Sequence, residues 1–132
     1  MSLDLYAENI LDELHHPQNR GVLPDFDIEH DATNASCGDS FKVQLKLDVS
    51  QQKIKQIGWQ GTGCAISTVA LSKVSALAVG QDISQVLQWD KGTLLKLLDL
   101  PDISIGRERC LLIGLAGIQT ALQVLARSHS KP

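Results

Sequence analysis

The sequence predicts an α+β domain in which a small antiparallel sheet carries helices on one face. Two observations support this prediction. From Phe41 to Val49 apolar and polar side chains alternate, which is the period of a half-buried strand. After Cys64 apolar side chains recur at helical spacing. Because the strands precede most of the helices in the chain, a sheet with helices packed on one face is expected.

Local patterns and turn residues then define each element. Pro17 ends the first helix, and the loop after it contains Asn19 and Gly21. The predicted elements are, in chain order, a helix over 3–14, an irregular polar stretch over 25–36, strands over 41–49 and 54–59, a loop at 61–63, helices over 64–80, 82–87, 93–98 and about 107–127, and a frayed tail over 128–132.

Length, charge and cysteine usage limit the classes of protein. The 132 residues suit one domain over 1–132, which is large enough to fold without a metal. The net charge of −3 argues against a nucleic-acid partner. We expect a cytoplasmic protein without a membrane partner, because we find neither a signal-peptide pattern nor a long apolar run. Three cysteines do not suggest a disulfide framework in that compartment.

Each cysteine lies at a predicted structural transition. Cys37 precedes the alternating strand, Cys64 opens a helix after a glycine loop, and Cys110 is near the start of the last helix. The three thiols could therefore meet at one edge of the sheet, with Asp39 as a fourth donor, and a helix N-terminus lowers a thiol pKa. The alternative is that the cysteines are small buried apolar residues and that Gly38-Asp39 is a turn, since no CxxC pair is present.

Motifs in this order resemble the IscU, SufU and NifU N-terminal family of iron–sulfur cluster assembly proteins. The motifs are residues 5–6 with 10–11, His16-Pro17-Gln18-Asn19-Arg20-Gly21, Ser36-Cys37-Gly38-Asp39, Gly61-Thr62-Gly63-Cys64-Ala65-Ile66-Ser67, and Cys110. The resemblance implies a SufE/NifU-like α+β fold with the cysteines and Asp39 at one tip. It also implies that Cys37, Asp39, Cys64 and Cys110 bind Zn²⁺ or a transient [2Fe–2S] cluster.

The same resemblance implies partners and a reactive residue. A cysteine desulfurase would deliver persulfide sulfur to Cys110, and apo iron–sulfur proteins would receive the cluster. Arg109 occupies the position at which IscU-type members have a histidine. Arg107 and Cys110 resemble the RxxC of SufU-type members, but the segment between Cys64 and Cys110 is too short for the insertion typical of SufU. Arg107 could pair with Asp39 or engage the desulfurase.

Three functions therefore remain open at the level of sequence. The first is a non-enzymatic scaffold that assembles or relays a cluster. The second is a zinc-dependent sulfurtransferase that accepts persulfide on Cys110 and stimulates the desulfurase. The third, a structural zinc domain, ranks last because a domain of this length can fold without metal.

Overall fold

The computed structural model describes residues 10–34 and 38–130, and the side chains up to residue 127. Cys37 and the predicted motif residues Leu5 and Tyr6 lie outside the described residues. The strands are β1 (Ile28–Asn34), β2 (Asp39–Asp48) and β3 (Lys53–Thr62). The helices are α1, described over residues 10–15, α2 (Ala65–Ala78), α3 (Ile83–Val86), α4 (Lys91–Leu97) and α5 (Ile105–Ser130).

The strands form one antiparallel sheet in the order β1-β2-β3. Asn34 lies opposite Asp39 at the start of β2, and Val43 lies opposite Trp59. The alternation seen in the sequence is borne out, because Phe41, Val43 and Leu45 are buried on the face that the helices cover. The predicted fold class, an antiparallel sheet with helices packed against it, is confirmed.

Strand β1 corrects the prediction of an irregular stretch over 25–36. Its seven residues are mostly polar, and only Ala32 is fully buried, so its own sequence shows little strand pattern. Pairing with β2 along its whole length makes it a strand. Pairing with a neighbouring strand can therefore impose strand structure on a segment whose own residues have little preference for it.

Two boundaries also differ from the sequence prediction. Gly61 and Thr62, expected in a loop, belong to β3. Gly61 has a φ of +128°, and a Cβ built on it would lie 2.1 Å from the Ser40 carbonyl oxygen, so the strand continues only because this residue is glycine. Helix α5 starts at Ile105 and reaches Ser130, beyond the expected end.

Helix α5 is the main packing element of the core. It contacts β1, β2, α2 and α4. Its length and composition over Ile105–Arg127 would suffice to cross a membrane, although we had expected no apolar run of that kind. However, 56% of its most apolar window is buried within the fold, as in the core helix of a globular domain.

The loop after Pro17 holds the outer edge of β3. The Gly21 amide donates to the Trp59 carbonyl at 2.8 Å, and the Trp59 amide donates to Asn19 at 3.1 Å. At the other end of β3, the Ile54 amide donates to the Gln81 carbonyl at 3.1 Å. Both ends of this edge are therefore hydrogen-bonded to neighbouring chain.

Candidate metal centre

Three elements bring Asp39, Cys64 and Cys110 together. Asp39 is the first residue of β2, Cys64 is the N-cap of α2, and Cys110 lies in the second turn of α5. One ligand atom from each residue lies within 4.8 Å of the other two. The structure thus groups the described members of the predicted ligand set, while the position of Cys37 lies outside it. Their role as ligands stays a prediction.

The two oxygens of Asp39 have different surroundings. Oδ1 accepts hydrogen bonds from the Cys64 amide at 2.9 Å and from the Ser67 hydroxyl at 3.1 Å. Oδ2 is buried, and no described residue donates a hydrogen bond to it. A buried carboxylate oxygen without a partner is unfavourable unless something else satisfies it. A metal ion held with the two thiols would do so, and Cys, Cys and Asp are donors that Zn²⁺ accepts.

Ser67 joins Cys64 to Asp39. Its hydroxyl oxygen lies 3.5 Å from the Cys64 Sγ and 2.9 Å from the Cys64 carbonyl oxygen. Burial and the Asp39 charge raise the pKa of the Cys64 thiol, but hydrogen bonds with the Ser67 hydroxyl and amide and with Cys110 outweigh them, and the pKa lies below its ordinary value. The direction agrees with the sequence prediction, although these hydrogen bonds account for it.

The sequence analysis named Gly63 and Ser67 within a motif but gave neither of them a role of its own in the site. Ser67 follows Cys64 by three positions, so the two share a helix face, and this spacing could have identified it. A Cβ on Gly63 would lie 2.4 Å from the Ser67 Oγ and 2.7 Å from the Asp39 Oδ1. Only glycine therefore leaves room for the contact between Asp39 and Ser67.

The site opens into a pocket of about 380 Å³. Its lining residues are Cys64, Ser104, Gly106, Arg107 and Cys110. Cys110 is only 2% exposed, and it is one of the residues that line this pocket.

The two arginines before Cys110 lie in different surroundings. Arg107 lines the pocket, but in the described part of the chain it forms no ion pair with Asp39, contrary to one of the two roles proposed for it. Arg109 instead lines a separate groove with Thr33 and Asn34. No histidine among the described residues joins the ligand cluster. Position 109 therefore contributes nothing to the pocket at Cys110.

A three-stranded sheet that carries a buried aspartate and two thiols at one end places the chain in a family of small α+β domains. The sequence model of the NifU-like N terminal domain matches residues 5–130, and the chain belongs to that family. The resemblance inferred from the motifs is thereby confirmed.

Curated relatives cover different shares of the chain. The zinc-dependent sulfurtransferase SufU of Bacillus subtilis is 34% identical over 87 residues, which are 66% of this chain and 57% of that protein. The iron–sulfur cluster assembly scaffold protein IscU of Thermotoga maritima is 25% identical over 138 residues, covering 93% of this chain and 96% of the relative.

Solved structures share the fold. A NifU-like N-terminal protein from Brucella abortus superposes with a TM-score of 0.75 at 14% identity, covering 94% of this chain and 96% of its own. FiSufU from Fervidobacterium islandicum AW-1 gives a TM-score of 0.73 at 20% identity, covering 87% and 94%.

Proposed function

We propose that this protein is a cytoplasmic iron–sulfur cluster assembly scaffold that accepts sulfur from a cysteine desulfurase. It assembles or relays a transient [2Fe–2S] cluster at Cys37, Asp39, Cys64 and Cys110 and passes it to apo iron–sulfur proteins. The observation that carries the proposal is the grouping of the Asp39, Cys64 and Cys110 ligand atoms within 4.8 Å of one another. The name of the Thermotoga relative, an iron–sulfur cluster assembly scaffold protein, supports it.

The donor set suits cargo that must be released. Thiolates are the usual ligands of iron–sulfur clusters, whereas a carboxylate is a harder ligand that binds such a cluster less firmly. No described residue donates a hydrogen bond to the buried Asp39 Oδ2, so this oxygen is available to bind the cargo. A cluster held in part by Asp39 would leave more readily than one held by thiolates alone.

Cys110 is the proposed sulfur acceptor. Its thiolate attacks the terminal sulfur of the desulfurase persulfide, a new S–S bond forms on Cys110, and the desulfurase cysteine leaves as a thiolate. The transfer needs no oxidant or reductant. Later conversion of this sulfur to sulfide requires ferrous iron and an external electron donor.

Arg107 supports this assignment. It lines the same pocket as Cys64 and Cys110, so its cation lies on the path of an incoming persulfide. A persulfide is anionic near neutral pH, and a guanidinium is always protonated. Arg107 therefore favours the approach of the reactive sulfur to Cys110.

A zinc-dependent sulfurtransferase is the second candidate. It is favoured by Arg107 in the pocket and by the absence of a histidine from the described ligand cluster, as well as by the name of the Bacillus relative. Zn²⁺ would be held by Cys37, Asp39, Cys64 and Cys110. It would keep the three cysteine thiols deprotonated. In this case the protein relays sulfur and stimulates the desulfurase without building a cluster.

One set of measurements separates the two. Protein purified without oxygen is assayed for iron, zinc and acid-labile sulfide, and desulfurase turnover is measured with and without it. Iron with matching sulfide that moves to an apo-protein supports the scaffold. Zinc without sulfide, together with strong stimulation of turnover, supports the sulfurtransferase.

Variants make the assay specific. Cys37→Ser and Cys110→Ser should each abolish cluster reconstitution, while Ser84→Ala, an exposed change on α3, should leave it intact. Normal cluster assembly by Cys37→Ser would contradict the proposal.

A further inference from the structure

Two thiols from different helices meet in the described part of the site. The Cys64 and Cys110 Sγ atoms lie within 4.8 Å of each other, and a hydrogen bond joins the two side chains. Both residues line the same pocket of about 380 Å³. They are the only cysteines among the described residues. A sulfur atom carried by Cys110 is therefore close to a second thiol of the same chain.

The backbone of Cys64 is held more firmly than its thiol. The Cys64 amide donates to the Asp39 Oδ1 at 2.9 Å, and the Cys64 carbonyl oxygen accepts from the Thr68 amide at 3.0 Å. The half-buried side chain occupies the N-cap position without capping a helix amide. Its thiol makes sulfur hydrogen bonds with Ser67, at 3.5 Å, and with Cys110, and sulfur is a weak donor and acceptor. Rotation about the Cα–Cβ bond can therefore move this sulfur without breaking either backbone hydrogen bond.

We propose that Cys64 resolves a persulfide carried by Cys110, an inference that rests on the proposed transfer of sulfur to Cys110. The Cys64 thiolate attacks the Cys110 Sγ, which is the inner sulfur of the persulfide. A Cys64–Cys110 disulfide forms, and the bond between the two persulfide sulfurs breaks. The outer sulfur, which takes up a proton where the persulfide is anionic, leaves as hydrosulfide. The two cysteine sulfurs are oxidised to the disulfide, and the transferred sulfur is reduced to sulfide.

The inner sulfur of the persulfide is the expected target. The two Sγ atoms already lie within 4.8 Å, and a disulfide bond requires about 2.05 Å between them. A leaving group of lower pKa departs faster in thiol exchange, and hydrosulfide is a weaker base than a cysteine thiolate. Arg107 lines the same pocket, so its cation favours the departing anion. Attack on the outer sulfur would instead move the persulfide to Cys64 and release no sulfide.

The resolving step defines where the external electron donor acts. Cys64 and Cys110 together supply the two electrons that reduce the transferred sulfur in one round. A dithiol reductant then exchanges with the Cys64–Cys110 disulfide and restores both thiols. In a complete assembly cycle the external donor therefore acts on the protein disulfide, and ferrous iron takes up the released sulfide.

Sulfur labelling tests the proposal on the full chain. Metal-free protein is incubated without oxygen or added reductant with a cysteine desulfurase and radiolabelled cysteine, and excess cysteine is then removed. Released sulfide is quantified, and mass spectrometry maps the disulfides. One labelled sulfide should appear for each Cys64–Cys110 disulfide. A labelled persulfide that stays on Cys110 beside a reduced Cys64, label that moves to Cys64, or a disulfide between Cys110 and any other cysteine would overturn the inference.

One variant and one matched control separate this inference from the proposed function. Cys64→Ser cannot form the disulfide, so label should stay on Cys110 and sulfide release should fall at least about tenfold. Ser84→Ala, at an exposed position of α3, should behave as the unmodified protein does, and thermal unfolding checks that both variants fold. A Cys110 without label in Cys64→Ser would overturn the proposed sulfur transfer and this inference with it. Equal sulfide release from Cys64→Ser and the unmodified protein, with sulfur delivered to Cys110 in both, would overturn this inference alone.

Discussion

Asp39 combines a structural role with the proposed ligand role in one side chain. Oδ1 accepts hydrogen bonds from the Cys64 amide and the Ser67 hydroxyl, which ties β2 to the start of α2. Oδ2 remains for a ligand. An asparagine could keep the first function, because its amide oxygen is also an acceptor, but it would lose the negative charge.

We therefore predict that Asp39→Asn lowers Zn²⁺ affinity by at least about tenfold while the metal-free protein stays folded. Competition with a chromogenic chelator measures the affinity, and thermal unfolding checks the fold. Asp99→Asn is the control, because Asp99 is exposed and its φ of +57° suits asparagine. Unchanged zinc affinity in Asp39→Asn would remove Asp39 from the ligand set.

Ser67 is expected to influence the reactivity of Cys64. Because the hydrogen bond with the Ser67 hydroxyl is the largest influence that lowers the pKa of the Cys64 thiol, and alanine keeps only the amide, Ser67→Ala should raise that pKa. Less thiolate would be present near neutral pH, so alkylation of Cys64 in metal-free protein should slow and its pH midpoint should move upward.

Mass spectrometry of the Cys64 peptide follows the alkylation over a pH series. Ser84→Ala, at an exposed position away from the site, serves as the control and should leave the profile unchanged. A Ser67→Ala profile that moves to lower pH would show that Ser67 does not favour the thiolate.

At the scale of elements, the contact between α2 and α5 fixes the distance between Cys64 and Cys110. The two helices are in close contact where Gly114 faces Leu71. A Cβ on Gly114 would lie 2.7 Å from the Leu71 Cδ1 and 3.2 Å from its Cα. The helices must separate if position 114 gains a side chain.

Gly114→Ala should therefore lower the free energy of unfolding by about 1–3 kcal/mol. It should also weaken zinc binding, since Cys64 and Cys110 are on different helices. Gln123→Ala is the control, because Gln123 is exposed on the same helix and does not line the pocket at Cys110. This control should change the free energy of unfolding by no more than about 0.5 kcal/mol. Chemical denaturation and zinc competition measure both effects, and a stable Gly114→Ala would disprove the tight contact.

At the scale of the whole molecule, we expect the core to form without a metal. Its largest fully buried side chains include Trp59, Phe41, Leu45 and Leu111, which come from the sheet and α5. The described ligand residues lie at the end of this core. Metal binding should then stabilise the native state by mass action alone.

Chelation should consequently leave the far-UV circular dichroism unchanged. The free energy of unfolding should fall only by the contribution of metal binding, which is about 2.7 kcal/mol for a metal present at a hundred times its Kd. Thermal unfolding with and without chelator measures it. Cooperative loss of helix on chelation would instead support a structural zinc domain.

The sequence alone determined the elements whose information is local. The alternation over Phe41 to Val49 and the helical period after Cys64 arise from burial of one face, so both can be read from one segment. The motifs around Cys37, Cys64 and Cys110 identified the family for the same reason.

Only the tertiary structure decided what depends on neighbours. β1 is a strand because β2 supplies its hydrogen bonds. The Asp39 Oδ2 is buried, and no described residue donates a hydrogen bond to it. Arg107 faces the site and Arg109 does not, because residues two apart on a helix point in nearly opposite directions. Packing between distant segments decides which side of α5 faces the thiols. It also decides which edge of the sheet has no neighbouring strand among the described residues, and no local pattern encodes either feature.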